Sequence, residues 1–412
     1  MTNPKTSRRN WLKQSALFTG GLIGAPALWE RAAARPHNPH SPHTGAFGMA
    51  PYQGRYHLTE NFHIAPPDFS KVEVRLLANE NPYGPSPKAI QAIAESASKG
   101  NRYVYNSSKV MEEMVAEKEG VTPDHILLAP GSTDILEKTA IVACMNGGNV
   151  ISADPAYMSL VKTSQAVGAT WKNIPLTKDY AHDLDAMTKA IDGETKLIYV
   201  CNPNNPTGTI TPTEDIKAFV RKVDGKAPVF IDEAYLELAM DPKVTSAVDL
   251  VQEGKDVIIA RTFSKLHGMA GLRIGYMVAQ PERVKMIKDM VRTEMGISVT
   301  SMEGAMASMK DEAFQEKTKT LNQECREYTM AELKQQGFTP YPSYTSFILF
   351  PIDMPTDLMM EAMLNKGVGI RVYGVDGQPH CRVSMGTMDE MKRFTRSLAE
   401  VMDEATVQAG GK

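Results

Sequence analysis

The chain has 412 residues, 42% hydrophobic and 23% charged, with a formal net charge of −3. That length buries a sizeable core and points to one large domain with a smaller companion. The slight acidic balance argues against a general nucleic-acid surface, and there is no internal repeat or long low-complexity tract. Four cysteines without CxxC spacing (Cys144, Cys201, Cys325 and Cys381) read as small core hydrophobes, with a disulfide or a reactive thiol as the alternative.

In chain order, the first signal is SRRNWLK at 7–13, followed by a modestly apolar, glycine-containing run over 16–28 and small residues at 25–27 and 32–34. This is the layout of a secretory signal, and the paired Arg8 and Arg9 resemble the twin-arginine class, which exports folded proteins. Residues 1–34 are therefore expected to be a removable signal handled by the twin-arginine export machinery, with a periplasmic mature protein. If the signal is not used, the protein stays cytoplasmic. Cleavage after Ala34 removes five basic residues and one acidic residue, taking the formal charge from −3 to −7. Residues 35–70 follow as a Pro/His-rich linker and N-terminal arm. His37, His40 and His43 invite a metal reading, but the interleaved prolines preclude a helix that would stack the imidazoles, and no metal site is expected.

From Lys71 onward short apolar runs alternate with helical patterns, the mark of an α/β domain. Buried strands are expected at 125–128, 149–152, 196–201, 228–231 and 257–260, with helices at 87–98, 134–144, 157–167 and 213–223. In open α/β sheets ligands collect at the carboxyl ends of the strands. Polar or glycine-rich clusters do follow these strands, at 131–133, 154–157, 202–208, 232–235 and 262–265. Beyond 295 come a long charged helix at 311–336, strands at 346–351, 369–373 and 381–385, and a closing helix from 389 to about 405. The expected division is residues 71–100 and 296–412 in a smaller α+β domain, around a large domain at 101–295.

Three of the clusters carry chemistry. NPNNPTG at 202–208 makes a rigid turn that fixes the direction of its asparagines, although alone it could be an ordinary turn. VFIDEAY at 229–235 ends a strand on Asp232 with Tyr235 beyond it; alone, such an aspartate could be a metal ligand or a cap. RTFSKLHGMAGLRIGY at 261–276 places Lys265 just after a strand, with glycines and Arg273 behind it. Together they match the needs of pyridoxal 5′-phosphate (PLP): a lysine to hold its aldehyde as a Schiff base, a carboxylate at its pyridine nitrogen, and an anion site for its phosphate. Lys265 takes the first role and Asp232 the second. Asn205 and Tyr235 would meet the phenolic oxygen, and Tyr157 would lie on the ring face. Gly131, Ser132 and Thr133 open a helix and would cradle the phosphate with Thr262, Ser264 and Arg273.

With these residues assembled, the sequence resembles the fold-type I PLP-dependent aminotransferases (class I/II), and within them the histidinol-phosphate aminotransferase branch. The matching pieces also include LANENP at 77–82, NRY at 101–103 and CRVS at 381–384, spanning about 71–405. The resemblance implies an α/β architecture like that of aspartate aminotransferase: a large PLP-binding domain with a mostly parallel seven-stranded sheet sandwiched by helices, and a smaller α+β domain. It also implies a homodimer with shared active sites, in which Tyr103 reaches the neighbouring subunit's cofactor phosphate. Arg382 would bind the substrate α-carboxylate, Arg371 a substrate phosphate, and Asn81 would belong to the substrate site. Two departures stand out: Tyr103 is followed by VYN where the branch has Pro-Asp, and the context of Arg371 is atypical.

The expected reaction transfers an amino group from an amino acid or amine to a keto acid such as 2-oxoglutarate, with Lys265 moving the α-proton. The competing readings are another PLP reaction on the same scaffold (decarboxylase, C–S lyase or racemase), because fold does not determine reaction type, and a non-catalytic PLP-binding protein. Export also sits poorly with a cytoplasmic biosynthetic substrate.

Overall fold

The computed structural model describes residues 69–103, 105–375 and 377–410. The expected signal, the linker histidines and Val104 lie outside the described residues. No helix among the described residues is long and apolar enough to cross a membrane.

The strands in chain order are β1 (Val74–Arg75), β2 (Ile126–Ala129), β3 (Asn149–Asp154), β4 (Thr170–Pro175), β5 (Thr195–Cys201), β6 (Val229–Asp232), β7 (Val257–Thr262), β8 (Gly275–Ala279), β9 (Phe347–Pro351), β10 (Val368–Gly369), β11 (Arg371–Val375) and β12 (Gln378–Ser384). Seven of them form one sheet in the order β2-β8-β7-β6-β5-β3-β4. It is the expected mostly parallel sheet; β8 alone runs against both its neighbours. Two strands had no sequence signal of their own. β4 is an edge strand whose residues are all half-buried or exposed, so it lacks a continuous apolar run. β8 is fully buried but follows directly on the glycine-rich lysine motif.

Burial on both faces explains the near-continuous hydrophobics of the central strands. Ile198 and Val200 of β5, Val229 and Ile231 of β6, and Val257 and Ile259 of β7 enter one core. Leu197, Tyr199 and Cys201, then Phe230, then Ile258 and Ala260 enter the core on the opposite face. The two-residue period thus carries Asp232, at the end of β6, to the Tyr199–Cys201 face. That face also receives Leu349 and Tyr373 from outside the large sheet.

The remaining strands build a second, smaller layer. An antiparallel sheet, β11-β12-β9, packs with the helices Glu312–Gln335, Thr356–Asn365 and Met388–Gly410 around its own core. β1 pairs in parallel with β10, so the segment that enters the fold near residue 74 runs beside this layer. From there the chain turns into the helix Pro87–Ser96, started by Ser86, whose hydroxyl accepts the Ala89 N–H at 3.1 Å, and by Pro87 in the first turn. All four cysteines are buried and free, as small core side chains are.

Candidate active site

The carboxyl ends of β3, β5, β6 and β7 open into a cleft of about 450 Å³, closed on its other side by β11, β12 and residues 77–80. Lys265 lies three residues past the end of β7. Burial first, and then the Arg382 charge, pull its amine from 10.5 down to about 8. Its Nζ donates to the Asn79 carbonyl at 3.0 Å and lies 5.4 Å from the centre of the Tyr235 ring. An amine this close to neutral pH can lose and regain a proton, as a nucleophile and base must.

Asp232 is 2% exposed. Burial raises its carboxyl from 3.8 to about 6, against the lowering effect of the Ala234 N–H at 3.1 Å, the Tyr199 hydroxyl at 3.3 Å and the Lys265 charge. A buried carboxylate whose bonds leave it short of compensation is suited to a cationic ring nitrogen.

At the phosphate end, the helix Ser132–Cys144 begins at Gly131, whose φ of +90° suits glycine. A Cβ there would come within 2.4 Å of Arg273 Nη2, so the backbone and the guanidinium meet where only glycine fits. Arg273 is itself left-handed (φ +52°) and is tied by donation to the carbonyls of Ala270 at 2.9 Å and Pro130 at 3.2 Å. Thr262 Oγ1 accepts the Ser264 N–H at 3.1 Å and donates to Ser264 Oγ at 2.9 Å. Helix amides, hydroxyls and one guanidinium thus converge, a cradle that fits a phosphate. Tyr157 lines the neighbouring wall, its hydroxyl 3.4 Å from Thr133 Oγ1.

The opposite wall is cationic. Arg382, 5% exposed, donates from Nη1 to Asn205 Oδ1 at 2.7 Å and from Nη2 to the Leu77 carbonyl at 3.3 Å. Its Nε is buried with no hydrogen-bond partner among the described residues. The guanidinium lies over Phe347 and Tyr373, 5.2 and 5.1 Å from their ring centres. Arg371 is directly opposite Arg382 in the β11–β12 ladder and also lines the cleft. Like charges facing each other across a strand pair repel, an arrangement that an anionic ligand stabilises. Because Arg382 occupies the Asn205 carbonyl oxygen, the Asn205 amide nitrogen is left to face the cleft as a donor.

The structure therefore gathers Ser132, Thr133, Tyr157, Asn205, Asp232, Tyr235, Thr262, Ser264, Lys265, Arg273, Arg371 and Arg382 around one cleft, with Gly131 at its rim. Asn81 does not line this cleft, nor does Tyr103, which was expected at a neighbouring subunit's site. The Asn81 amide donates to the Leu266 carbonyl at 2.9 Å and so supports the lysine loop from behind, beside a small second cavity. Tyr103 is 72% exposed on the surface. Conversely, Asn79, Glu80, Lys162 and Tyr199 touch or line the site without having been singled out. Asn79 stood inside the quoted LANENP string, whereas Tyr199 looks like any buried strand aromatic.

The model of the family "Aminotransferase class I and II" matches residues 71–398, which contain every one of these side chains. The chain belongs to the class I and II aminotransferases. It is similar to histidinol-phosphate aminotransferase 2 of Nitrosospira multiformis, with 33% identity over 331 residues covering 80% of this chain and 84% of that protein. It is likewise similar to the histidinol-phosphate aminotransferase of Brevibacillus brevis, with 34% identity over 340 residues covering 82% and 93%. Among solved structures, that of the Sinorhizobium meliloti histidinol-phosphate aminotransferase in complex with pyridoxal-5′-phosphate superposes with a TM-score of 0.77. It shares 24% identity and covers 83% of this chain and 95% of that one. This aminotransferase has the fold of its family, and that neighbour's structure holds PLP. The groups converging on the cleft fit that cofactor at its aldehyde, nitrogen and phosphate ends.

Proposed function

We propose that this aminotransferase takes an amino group from a histidinol-phosphate-like donor, an amine or amino acid with a distal anionic group, and delivers it to a keto acid such as 2-oxoglutarate. The observation that carries this reading is the facing pair Arg371 and Arg382, two guanidiniums on one sheet face that line the cleft in addition to Arg273. Relatives about one-third identical that are named for histidinol phosphate support the donor class.

When bound, PLP supplies an aldehyde that captures amines and a protonated ring that draws electrons from the substrate α-carbon. The chain's own residues do the rest. Gly131, Ser132, Thr133, Thr262, Ser264 and Arg273 would hold the cofactor phosphate, and Tyr157 would cover the ring. Asp232 would stay ionised against the ring nitrogen, and Asn205 and Tyr235 would donate to the phenolic oxygen. Arg382 would hold the donor's carboxylate or its polar equivalent, and Arg371 its distal anion. Lys265 would anchor the cofactor at rest, and its free amine would take the α-proton and hand it back.

A donor screen on purified holoenzyme tests the substrate. Arg371→Ala is expected to lower kcat/KM for a donor with a distal phosphate by about 10²-fold, from the loss of a charge-assisted bidentate contact, while sparing donors without one. Equal losses for all donors, or a wild-type preference for uncharged aromatic donors, would reject the assignment. A single turnover should leave the cofactor in its pyridoxamine form, which a lyase or racemase would not.

We further propose a homodimer in which Tyr103 completes the partner's phosphate site. In support, Tyr103 (72% exposed), Tyr105 (65%) and Met295 (45%) line one surface pocket, a cluster of large apolar side chains otherwise left to solvent. Elution of the holoenzyme as a monomer on a sizing column would count against it. Export to the periplasm rests on residues 1–34. Arg8→Lys combined with Arg9→Lys is expected to leave a full-length precursor in the cytoplasm, read by fractionation. Unchanged location would remove the export reading and with it the objection to a biosynthetic substrate.

A further inference from the structure

Asn79 is one of three described non-glycine residues with a left-handed backbone, at φ +52°. It is also 2% exposed, in the segment that runs along β12 into the cleft. Such a conformation is unfavourable and persists only where its surroundings demand it. Here the surroundings are specific. The Asn79 N–H donates to Ser384 Oγ at 2.8 Å, and that hydroxyl donates back to Asn79 Oδ1 at 2.8 Å. With its carbonyl oxygen taken by the serine, the amide turns its nitrogen to Tyr235 and donates to the phenolic oxygen at 3.0 Å. The left-handed turn lets one residue do this while its main-chain carbonyl accepts Lys265 Nζ.

We infer that Asn79 is a positioning residue that sets the direction of the Tyr235 hydroxyl proton. A hydroxyl has one proton. Once its oxygen accepts from Asn79, that proton points away from Asn79, toward the place where the cofactor's phenolic oxygen would lie. Burial holds the Tyr235 phenol above its ordinary value, so the proton is present throughout the neutral range. Ser384 follows Arg382 by two residues on β12 and shares its face of the strand, so the strand that holds the substrate arginine also holds the group aligning Tyr235. This rests on the proposed role of Tyr235 toward the phenolic oxygen.

The test is the pH midpoint of the bound cofactor's absorbance in purified holoenzyme, which needs no turnover. A donor to the phenolic oxygen competes with the proton that oxygen shares with the lysine nitrogen, so losing the donor raises the midpoint. Tyr235→Phe is expected to raise it by about one unit. Asn79→Gly tolerates the left-handed backbone and keeps the carbonyl, and is expected to raise the midpoint by about half a unit. Asn79→Asp also tolerates that backbone and keeps the serine bond, but accepts from Tyr235 instead of donating; its rise should be larger. In the Tyr235→Phe background, Asn79→Gly should add nothing. Midpoints unmoved by both Asn79 variants while Tyr235→Phe shifts overturn the inference alone, as does an Asn79→Gly shift of full size in the Tyr235→Phe background. A Tyr235→Phe midpoint equal to the wild type overturns the role of Tyr235 and this inference with it.

Discussion

Lys265→Ala is expected to lower kcat by roughly four orders of magnitude, because one side chain supplies both the covalent anchor and the proton-transferring base. The fold should survive: Lys265 contributes one hydrogen bond to a carbonyl, and burial already disfavours its charge. Borohydride reduction of the wild type followed by intact-protein mass spectrometry should show one added cofactor; the variant should show none. Covalent label retained in the variant would mean that a different lysine is the anchor, and Lys162, which also lines the cleft, would be the next to replace.

Asp232→Asn is expected to act in opposite directions on activity and on stability. In the holoenzyme, loss of a buried carboxylate facing the ring nitrogen should cost about 10²–10³ in kcat, the usual scale for removing one preorganised electrostatic contact. In the cofactor-free protein the carboxylate is a liability. Its folded value, about 6, lies above the unfolded 3.8. Below about pH 4 both states carry the proton and nothing is lost. Between 3.8 and 6 the folded state alone keeps it, and stability falls as pH rises. Above about 6 the full cost stands, on the order of 3 kcal/mol. Cofactor-free Asp232→Asn should therefore unfold at higher denaturant than cofactor-free wild type at pH 8, with the gap closing toward pH 4. A variant less stable than wild type at pH 8 would show that Tyr199 and the Ala234 N–H compensate the charge, and the electrostatic account of this residue would be wrong.

Most of the chemistry at the cleft was legible in the order of residues. Asp232 ends a strand and Lys265, Asn205 and Tyr235 each follow one by a few positions, and strand ends in such sheets converge, so linear order predicted spatial company. Asn81 shows the limit of motif reasoning. It belongs to a string that points at the site, yet it turns its amide to the lysine loop. A motif marks a stretch of backbone; the direction of each side chain depends on what packs around it.

The sequence alone determined the α/β class and which strand-end side chains line the cleft, Lys265 among them, because hydrophobic period and strand-end chemistry are local and survive without coordinates. Only the tertiary structure decided which partners tune those groups. The 76–80 segment is joined to β12 by contacts that span more than 300 positions, including the Asn79–Ser384 bonds. The Arg382–Asn205 bond spans 177 positions, and the Asn79–Tyr235 bond 156. Burial and charge at Lys265 and Asp232 are likewise sums over residues distant in the chain, and no local pattern encodes such a sum.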